Sequence, residues 1–419
     1  MRHLGYNNAR VRQANKQLFL AHLWREKQLS KSQLAQMTGL SIPAVSNILQ
    51  ELVDEGRLCH SRETLSQRGL SNGSFHLPER GAWTLCMNVT PTSLTSQLAD
   101  ARLVAVGDWR HEVINAATPK DLLSAIARHW RVYQQRYPEI TLNLALGVHG
   151  QVDPITGASK TMPQAPWKTP VEIKYLLEEM LGVQVRLDND CVMLALAEKW
   201  QNPAANEDFC VINVDYGIGS SFVINDSIWR GSLYGSGQIG HTIIHPDGVA
   251  CDCGRYGCLE TVASLSALKK QARVWMKTQP IPELDPERLT TDRLIEAWRQ
   301  GDVRIQAWVE HAANAIGLSL YNFLNILNIN QIWLYGRSCA FGESWLNTLR
   351  QQTGFNPFDH GDNPRAKATR IGFGTLSRAQ QLMGIGYLYV ESQLSEIDPE
   401  RRGGEGSVRA FYSDNRASE

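Results

Sequence analysis

The pattern of apolar and polar positions divides the chain into a helical head and a longer region of alternating strands and helices. Residues 11–29 predict an amphipathic helix, and two shorter amphipathic helices follow it. Ser30 can cap the first of these two and Ser41 the second, while Gly39 permits the tight turn between them. Residues 57–77 then predict two short strands. This arrangement indicates a winged helix-turn-helix.

From about residue 82 the pattern changes to short apolar strands alternating with helices. Three short strands suited to antiparallel pairing open the region: WTLCMNV, SLTSQLA and RLVAVG, the last at residues 102–107. Buried strands such as LNLALGV then alternate with helices. A second half repeats this arrangement and ends in the helix SRAQQLMGIGYLYVES. The pattern predicts an α/β fold with largely parallel sheets. We expect a winged helix-turn-helix domain over 1–80, an α/β domain over 81–394 and a disordered tail over 395–419.

The distribution of charge along the chain indicates a binding partner for the amino-terminal segment. The chain is 43% hydrophobic and 20% charged, as ordinary globular proteins are. Its net charge is zero, but residues 1–80 hold eleven Lys/Arg against six Asp/Glu. A basic amino-terminal segment on an otherwise acidic chain indicates a nucleic-acid-binding head. Since neither a secretion signal nor an apolar run of about 18 residues is apparent, we expect a cytoplasmic protein without a membrane span, with reduced thiols.

The second helix of the helix-turn-helix would be the recognition helix. Base edges are reached from the polar side and the amino-terminal turn of such a helix. The candidate DNA-contacting residues are Ser41, Ala44, Ser46, Asn47 and Gln50 on the helix, with Arg62 and Arg68 in the wing. The alternative is a helical hairpin that contacts protein, but the basic surplus, the capping pattern, the glycine turn and the wing together favour DNA.

The stretch GSGQIGHTIIHPDGVACDCGRYGCLE carries a candidate metal site. The ligands are His241, Cys251, Cys253 and Cys258. Three thiols and one imidazole complete a four-coordinate shell for zinc, and a shell without an open position is usually structural. Free thiols or a disulfide are the alternative, but three cysteines leave an odd one and nothing indicates secretion. His245 competes with His241 for the fourth place. We expect one structural zinc ion per chain.

The same stretch resembles the paired signature of the ROK family of repressors, uncharacterised reading frames and sugar kinases. The family pattern is Gly-Glu-x-Gly-His, then Cys-x-Cys-Gly-x-x-Gly-Cys-Leu-Glu, and Gln238 stands here where the family usually has glutamate. The resemblance extends over nearly the whole chain, in the layout of the Mlc/NagC-type regulators. It implies a two-lobed, actin-like sugar-kinase fold behind the head, and it favours His241 over His245 as the zinc ligand.

The resemblance also implies a sugar pocket. Carried over residue by residue, the pocket comprises Gly150, Asn189, Asp190, Gln238, His241 and Glu260. In the family kinases the aspartate that corresponds to Asp190 takes a proton from the sugar hydroxyl. From spacing alone, Asp190 could equally be a helix N-cap. The loop that contains Gly150 resembles the family's Pro-Gly-x-Val-Asp, with His149 in place of proline.

The loops that hold ATP in the family kinases are altered in this chain. Residues 88–92 read NVTPT where the family has Asp-x-Gly-x-Thr, and Pro91 removes an N–H donor. The second loop begins Asp215-Tyr216 instead of Gly-Thr, and a carboxylate at its entrance would repel phosphate. A single glycine, Gly336, stands where the family has two beside the adenine. We therefore expect that the domain is not an enzyme.

Taken together, these features predict a sugar-responsive transcriptional regulator that represses a carbohydrate-use operon. The effector would be a sugar or a sugar phosphate. The DNA partner would be an inverted-repeat operator, bound by a homodimer or a higher homo-oligomer, because two-fold symmetry doubles the site. Two alternatives remain open at this point: an active ROK sugar kinase with an added DNA-binding head, and a regulator controlled by a partner protein.

Overall fold

A computed structural model of the protein describes residues 8–61, 73–202, 207–232, 234–279, 285–329, 331–353 and 369–396. The chain forms two compact units, residues 1–201 with 377–419 and residues 202–376. Arg62, Arg68 and nearly all of the predicted tail lie outside the described residues.

Three helices and a small sheet form the amino-terminal head. In chain order its elements are α1 (Asn8–Glu26), β1 (Gln28–Leu29), α2 (Lys31–Thr38), α3 (Ile42–Asp54), β2 (Cys59–Ser61) and β3 (Ser74–His76). The strands pair antiparallel in the order β1-β3-β2. Ser30 caps α2 through its side chain, and Gly39 ends it with a φ of 69°. The winged helix-turn-helix is confirmed, although α1 begins and ends three residues earlier than predicted.

A five-stranded mixed sheet organises the rest of the first unit. Its elements are β4 (Trp83–Thr90), β5 (Ser93–Ala99), β6 (Ala105–Val113), α4 (Pro119–Arg136), β7 (Leu142–Val148), β8 (Gln151–Asp153), β9 (Ala158–Thr161), α5 (Ile173–Leu181), β10 (Val185–Asn189) and α6 (Asp190–Gln201). The strand order is β10-β7-β4-β5-β6, and β8 pairs separately with β9. The β4–β5 and β5–β6 pairs are antiparallel, whereas β7 and β10 join in parallel.

The second unit repeats this topology. Its elements are β11 (Phe209–Val214), β12 (Ile218–Ile224), β13 (Ser227–Trp229), α7 (Glu260–Ala263), α8 (Leu265–Met276), α9 (Thr291–Arg299), α10 (Val303–Leu327), β14 (Gln331–Tyr335), α11 (Gly342–Thr353) and β15 (Arg370–Phe373). The order β13-β12-β11-β14-β15 again has two antiparallel and two parallel pairs. Helices α12 (Arg378–Met383) and α13 (Tyr387–Glu396) return the chain to the first unit.

The expectation of largely parallel sheets is therefore wrong, because half of the strand pairs in each five-stranded sheet are antiparallel. Tight hairpins account for them. Asn225 and Asp226, which join β12 to β13, have φ angles of 52° and 57°. Positive φ at both central residues is the type I′ turn that connects antiparallel strands. The parallel pairs are instead connected through helices.

Trp200, near the end of α6, joins the head to the rest of the first unit. Its ring stacks on Tyr387 with centroids 5.4 Å apart, and its Nε1 donates to Glu391 Oε1 at 2.9 Å. The guanidinium of Arg25 in α1 lies 5.5 Å from the centroid of the same ring. The Gln17 side chain of α1 donates to a backbone carbonyl of α13 at 2.7 Å. The head thus packs against α6 and α13.

Candidate functional site

The four expected zinc ligands come together in the second unit. One ligand atom from each of His241, Cys251, Cys253 and Cys258 lies within 4.8 Å of the other three. Cys251 Sγ is 3.5 Å from His241 Nδ1, and the Sγ atoms of Cys253 and Cys258 are 3.6 Å apart. A tetrahedral zinc ion with bonds of about 2.0–2.3 Å separates its ligand atoms by roughly 3.4–3.8 Å. The His241–Cys251 and Cys253–Cys258 distances lie in this range, and the four ligand atoms are close enough together to hold one metal ion.

Burial and mutual repulsion oppose joint ionisation of the three thiols of this cluster, although hydrogen bonds with the Arg255 backbone and the two other thiols outweigh burial at Cys253 and lower its pKa. Burial, followed by contacts with the two other thiols, raises the pKa of Cys258 to about 12. Burial also raises the pKa of Cys251. Neighbouring thiolates repel one another, and a metal ion removes that penalty by binding them. The donor set is thus suited to a soft divalent cation.

His245 is not part of this cluster. Its ring stacks on that of His311, with centroids 6.0 Å apart and an interplanar angle of 7°. The histidine that lies with the three cysteines is His241, and its Nδ1 is the ring nitrogen closest to Cys251 Sγ. A metal bound to Nδ1 leaves Nε2 available for a second partner.

Backbone hydrogen bonds fold the loop around the four ligands. Ile244 N and His245 N both donate to Gly257 O, at 2.9 and 3.2 Å, and Gly257 N donates to Val249 O at 2.9 Å. Gly257 has a φ of 66°, and a Cβ at this position would overlap the carbonyl oxygen of His245. Gly254 also has a positive φ, 87°, but a Cβ there would meet open space. The two glycines thus share a left-handed backbone but differ in the space around their Cα atoms.

Gly257→Ala and Gly254→Ala should therefore have different effects on metal content. A left-handed backbone costs an alanine about 1–2 kcal/mol at either position. Gly254→Ala should lose only that much stability and retain its metal. Gly257→Ala must also displace the chain around His245, so we expect most of the zinc to be lost. Elemental analysis of freshly purified protein measures this, and equal zinc in the two variants would contradict the expectation.

Gln238, His241 and Glu260 are positioned around the start of β12. His241 N donates to Gln238 O at 3.0 Å within a single 3-10 turn. Gly240 lies so close to β12 that a Cβ would overlap the Ile218 carbonyl oxygen. Ile218 N donates to Glu260 Oε2 at 2.9 Å. Both segments that carry the expected ligand-binding residues of this unit therefore contact Ile218.

Carboxylates of the chain itself accept hydrogen bonds from backbone N–H groups of the second glycine loop. Asp215 Oδ1 accepts from Tyr216 N at 2.9 Å, and its Oδ2 accepts from Arg337 N at 3.1 Å. Glu260 Oε2 accepts from Ile218 N in the same loop. The N–H groups of Tyr216, Ile218 and Arg337 are therefore engaged by carboxylates of the chain.

Gly150, Asn189 and Asp190 lie together in the first unit, at the carboxyl ends of β7 and β10. The Asn189 side-chain amide donates to Gly150 O. Asn189 Oδ1 accepts from Cys191 N at 2.7 Å, so Asn189 provides the cap for the start of α6. The Asp190 carboxylate does not serve as that cap. It is 7% exposed, and its Oδ2 lies 2.9 Å from His149 Nδ1.

His149 is a candidate that the sequence alone did not place in the pocket. Its substitution for proline marked it in the sequence, but its pairing with Asp190 spans 41 residues and appears only in the fold. The carboxylate of Asp190 can accept a hydrogen bond from Nδ1 of this ring. Three of the six expected pocket residues, Gly150, Asn189 and Asp190, lie in the first unit. The other three lie in the second unit.

The expected base-contacting residues of the head lie on α3 between its N-cap and Gln50. Val45, Ile48, Leu49 and Leu52 face the core, whereas Asn47 and Gln50 are exposed. Ala44 and Ser46 are partly exposed. Ser41 occupies the N-cap position, but its side chain makes no capping hydrogen bond, contrary to expectation. The polar side of α3 is therefore accessible from the helix start, and Arg62 and Arg68 stay predictions.

Two family profiles match the chain. A profile described as winged helix-turn-helix DNA-binding matches residues 20–58, and that of the ROK family matches residues 86–367, which is more than half of the chain. The chain belongs to the ROK family. Its fold is a winged helix-turn-helix followed by the actin-like ROK sugar-kinase fold, with one copy of the repeated sheet in each half.

None of the described helices has the length and apolarity needed to cross a membrane.

The proteins of similar sequence or structure include regulators. The uncharacterised protein YphH of Escherichia coli (strain K12) is 65% identical over 392 residues, covering 93% of this chain and 99% of its own. The xylose repressor of Caldicellulosiruptor bescii is 24% identical over 362 residues, 82% of this chain and 88% of its own. A crystal structure of a ROK family transcriptional regulator, a homologue of the E. coli MLC protein, superposes with a TM-score of 0.74. It is 20% identical and covers 94% of this chain and 100% of its own, so it supports the fold.

Proposed function

We propose that this protein is a sugar-responsive transcriptional regulator that represses a carbohydrate-use operon. The observation that carries the proposal is a winged helix-turn-helix with an accessible recognition helix, joined in one chain to a ROK domain. The similarity to a xylose repressor supports a sugar as effector. The head would occupy residues 1–80 and the ROK domain residues 81–394, with operator binding as a homodimer on an inverted repeat in double-stranded DNA.

The proposal includes the loss of kinase activity. Asp215 and Glu260 accept hydrogen bonds from Tyr216 N and Ile218 N, which belong to the loop that would hold phosphate. Pro91 removes a donor from the other phosphate loop. Asp190, which corresponds to the kinase base, is engaged by His149. Each change weakens a separate requirement of phosphoryl transfer, so binding without turnover is the function that these residues favour.

The effector pocket would combine carboxylates and amides, as sugar hydroxyls require paired donors and acceptors. The proposed effector ligands are Gly150, Asn189 and Asp190 of the first unit and Gln238, His241 and Glu260 of the second unit. Gln238 is a neutral amide where the family usually has a carboxylate, so it can donate as well as accept. This favours an effector that presents an acceptor there, such as an acidic or phosphorylated sugar, over a plain hexose.

Zinc would hold the second group of pocket residues in place. His241, Cys251, Cys253 and Cys258 would bind one ion per chain, with His241 using Nδ1 and offering Nε2 to the effector. The ion supplies no reaction step at a closed four-ligand site; it fixes the loop between the 3-10 turn at His241 and α7. That loop carries both the Gln238–His241 segment and Glu260, so metal and effector binding would be linked.

The function is tested by selecting genomic DNA fragments with the full chain and measuring their affinity with and without a panel of sugars and sugar phosphates. We expect specific binding to an inverted repeat and a change in affinity with one effector class. The same panel is incubated with ATP. Phosphoryl transfer at ordinary kinase rates would instead establish the kinase alternative. An affinity that responds to cell extract but to none of the sugars would favour control by a partner protein.

Asn47→Ala and Gln50→Ala should each weaken specific operator binding by about 1–3 kcal/mol, the contribution of a good bidentate base contact. Binding to unrelated DNA should change little, because phosphate contacts carry no sequence information. Gln134→Ala, which removes an exposed amide from α4, serves as the control. Quantitative gel shifts with operator and scrambled DNA give both affinities. Equal weakening on the two DNAs would exclude base readout by these side chains.

A further inference from the structure

The recognition helix has an unusual composition for a DNA-reading element. Helix α3 reads IPAVSNILQELVD and contains neither lysine nor arginine. The commonest specific contact in the major groove is arginine or lysine on the O6 and N7 acceptors of guanine. The side chains of α3 cannot make this contact. Base recognition by this helix must rely on amides, hydroxyls and aliphatic groups.

The acidic residues at the end of α3 restrict which part of the helix can approach DNA. Glu51 forms ion pairs with Arg12 and Lys16 of α1, and Lys16 Nζ also lies 2.5 Å from Glu55 Oε1. Glu51 and Glu55 are therefore committed to α1, and their carboxylates would repel phosphates. The part of the helix from Ile42 to Gln50, whose first N–H groups favour anions, is the part that suits entry into the groove.

Ile42 is an apolar side chain at the point where the helix would meet bases. It is the first residue of α3 and is 48% exposed, while the apolar residues of the next turns are buried. A large exposed aliphatic group at this position gains free energy from an apolar partner. The C5 methyl of thymine is the apolar group that the major groove offers.

Gln50 has the geometry to recognise adenine. Its Nε2 donates to Asp54 Oδ1 at 2.8 Å, one helical turn further along, which orients the amide. This bond uses one of the two Nε2 hydrogens. The second hydrogen and Oε1 remain for the N7 acceptor and the N6 donor of adenine, the bidentate pairing of glutamine. Asn47, about one turn before Gln50, is exposed on the same polar side and has the same pairing chemistry.

We propose that α3 reads A·T base pairs, with Ile42 against a thymine methyl and Gln50, oriented by Asp54, on an adenine. This inference rests on the proposed DNA-binding function and deepens it by naming the bases that the helix selects. Operator half-sites should carry A·T pairs where α3 contacts them, and guanine preference at other positions would have to come from elements outside α3.

The test begins by selecting high-affinity sites from a random double-stranded library with the full chain. Each thymine of the selected half-site is then replaced in turn by deoxyuridine, which removes only the C5 methyl. At one position we expect about a fourfold loss of affinity for the unsubstituted protein, the effect of one apolar methyl group leaving its contact. Ile42→Ala should bind thymine and deoxyuridine equally at that position. Val303→Ala, an exposed β-branched residue at the first position of α10, is the matched control and should keep the fourfold difference.

A parallel series replaces adenines by 7-deazaadenine, which lacks the N7 acceptor. The unsubstituted protein should lose at least about fivefold at one adenine, and Gln50→Ala should be insensitive to the replacement there. Selected sites with G·C pairs under α3, or a methyl effect that persists in Ile42→Ala, would overturn this inference and leave the regulator proposal standing. Failure to select any preferred sequence would overturn both.

Discussion

Cys253→Ala should give a protein that retains no tightly held zinc and whose DNA affinity no longer responds to the effector. Cys253 is exposed, so removing its thiol leaves no cavity in the core and takes away only one of four ligands. A three-ligand remnant leaves an open position and binds the ion less tightly. Elemental analysis should fall from one zinc per chain to nearly none, and gel shifts with and without effector should coincide.

Cys339→Ala is the control, because Cys339 lies in the same unit but outside the cluster of metal ligands. It should retain both zinc and the effector response. DNA affinity without effector should persist in Cys253→Ala, since the head belongs to the other unit and has its own core. A full complement of zinc in Cys253→Ala would remove this thiol from the ligand set. A normal effector response in a zinc-free variant would separate the metal from the pocket.

Trp200→Ala should destabilise the first unit by about 3–5 kcal/mol, the usual cost of truncating a buried tryptophan. It should also reduce the effect of the sugar on DNA binding. Helix α6 is buried from Asp190 to Trp200. It therefore connects a proposed effector ligand at its start to the Arg25 and Tyr387 contacts near its end. A displacement of α6 on effector binding would reach the head through this tryptophan.

Trp200→Phe separates packing from coupling, since phenylalanine can keep the stack on Tyr387 but cannot donate to Glu391. It should lose less stability than Trp200→Ala. Trp229→Ala, which truncates a tryptophan that is 53% exposed in the second unit, should change neither property. Chemical denaturation gives stability, and the ratio of DNA affinities with and without effector gives coupling. An unchanged ratio in folded Trp200→Ala would rule out this route.

Elements with strong local patterns were predictable from the sequence. Strand β7 coincides with the apolar run LNLALGV, and α3 follows its buried positions at helical spacing. Strand β6 was expected at residues 102–107 but lies at Ala105–Val113, because an edge strand exposed along most of its length carries little apolar signal. Helix α9 and the four-residue β15 were missed for a related reason: charged or short segments give weak periodicity.

In the candidate site, too, residues close together in the sequence were predictable, whereas contacts between distant residues were not. The four metal ligands lie between His241 and Cys258, so spacing and donor chemistry were enough to identify the cluster. The Glu260–Ile218 and His149–Asp190 hydrogen bonds join residues 42 and 41 positions apart. Long-range contacts of this kind depend on the pairing of strands and on loop geometry, which composition does not encode. The sequence left the role of Asp190 open for this reason.

On the proposed function, Asp215 and Glu260 accept hydrogen bonds from the amides that would otherwise hold phosphate, so the domain would return its sugar unchanged. A kinase consumes the sugar that it meets, so its behaviour reflects the rate of supply. The fraction of a non-catalytic receptor that is bound depends only on the free concentration of its ligand and on the dissociation constant. When that concentration falls, the bound fraction falls as the ligand dissociates. On the proposed function, gene expression would then follow the standing level of the metabolite and would do so even when the cell is short of ATP.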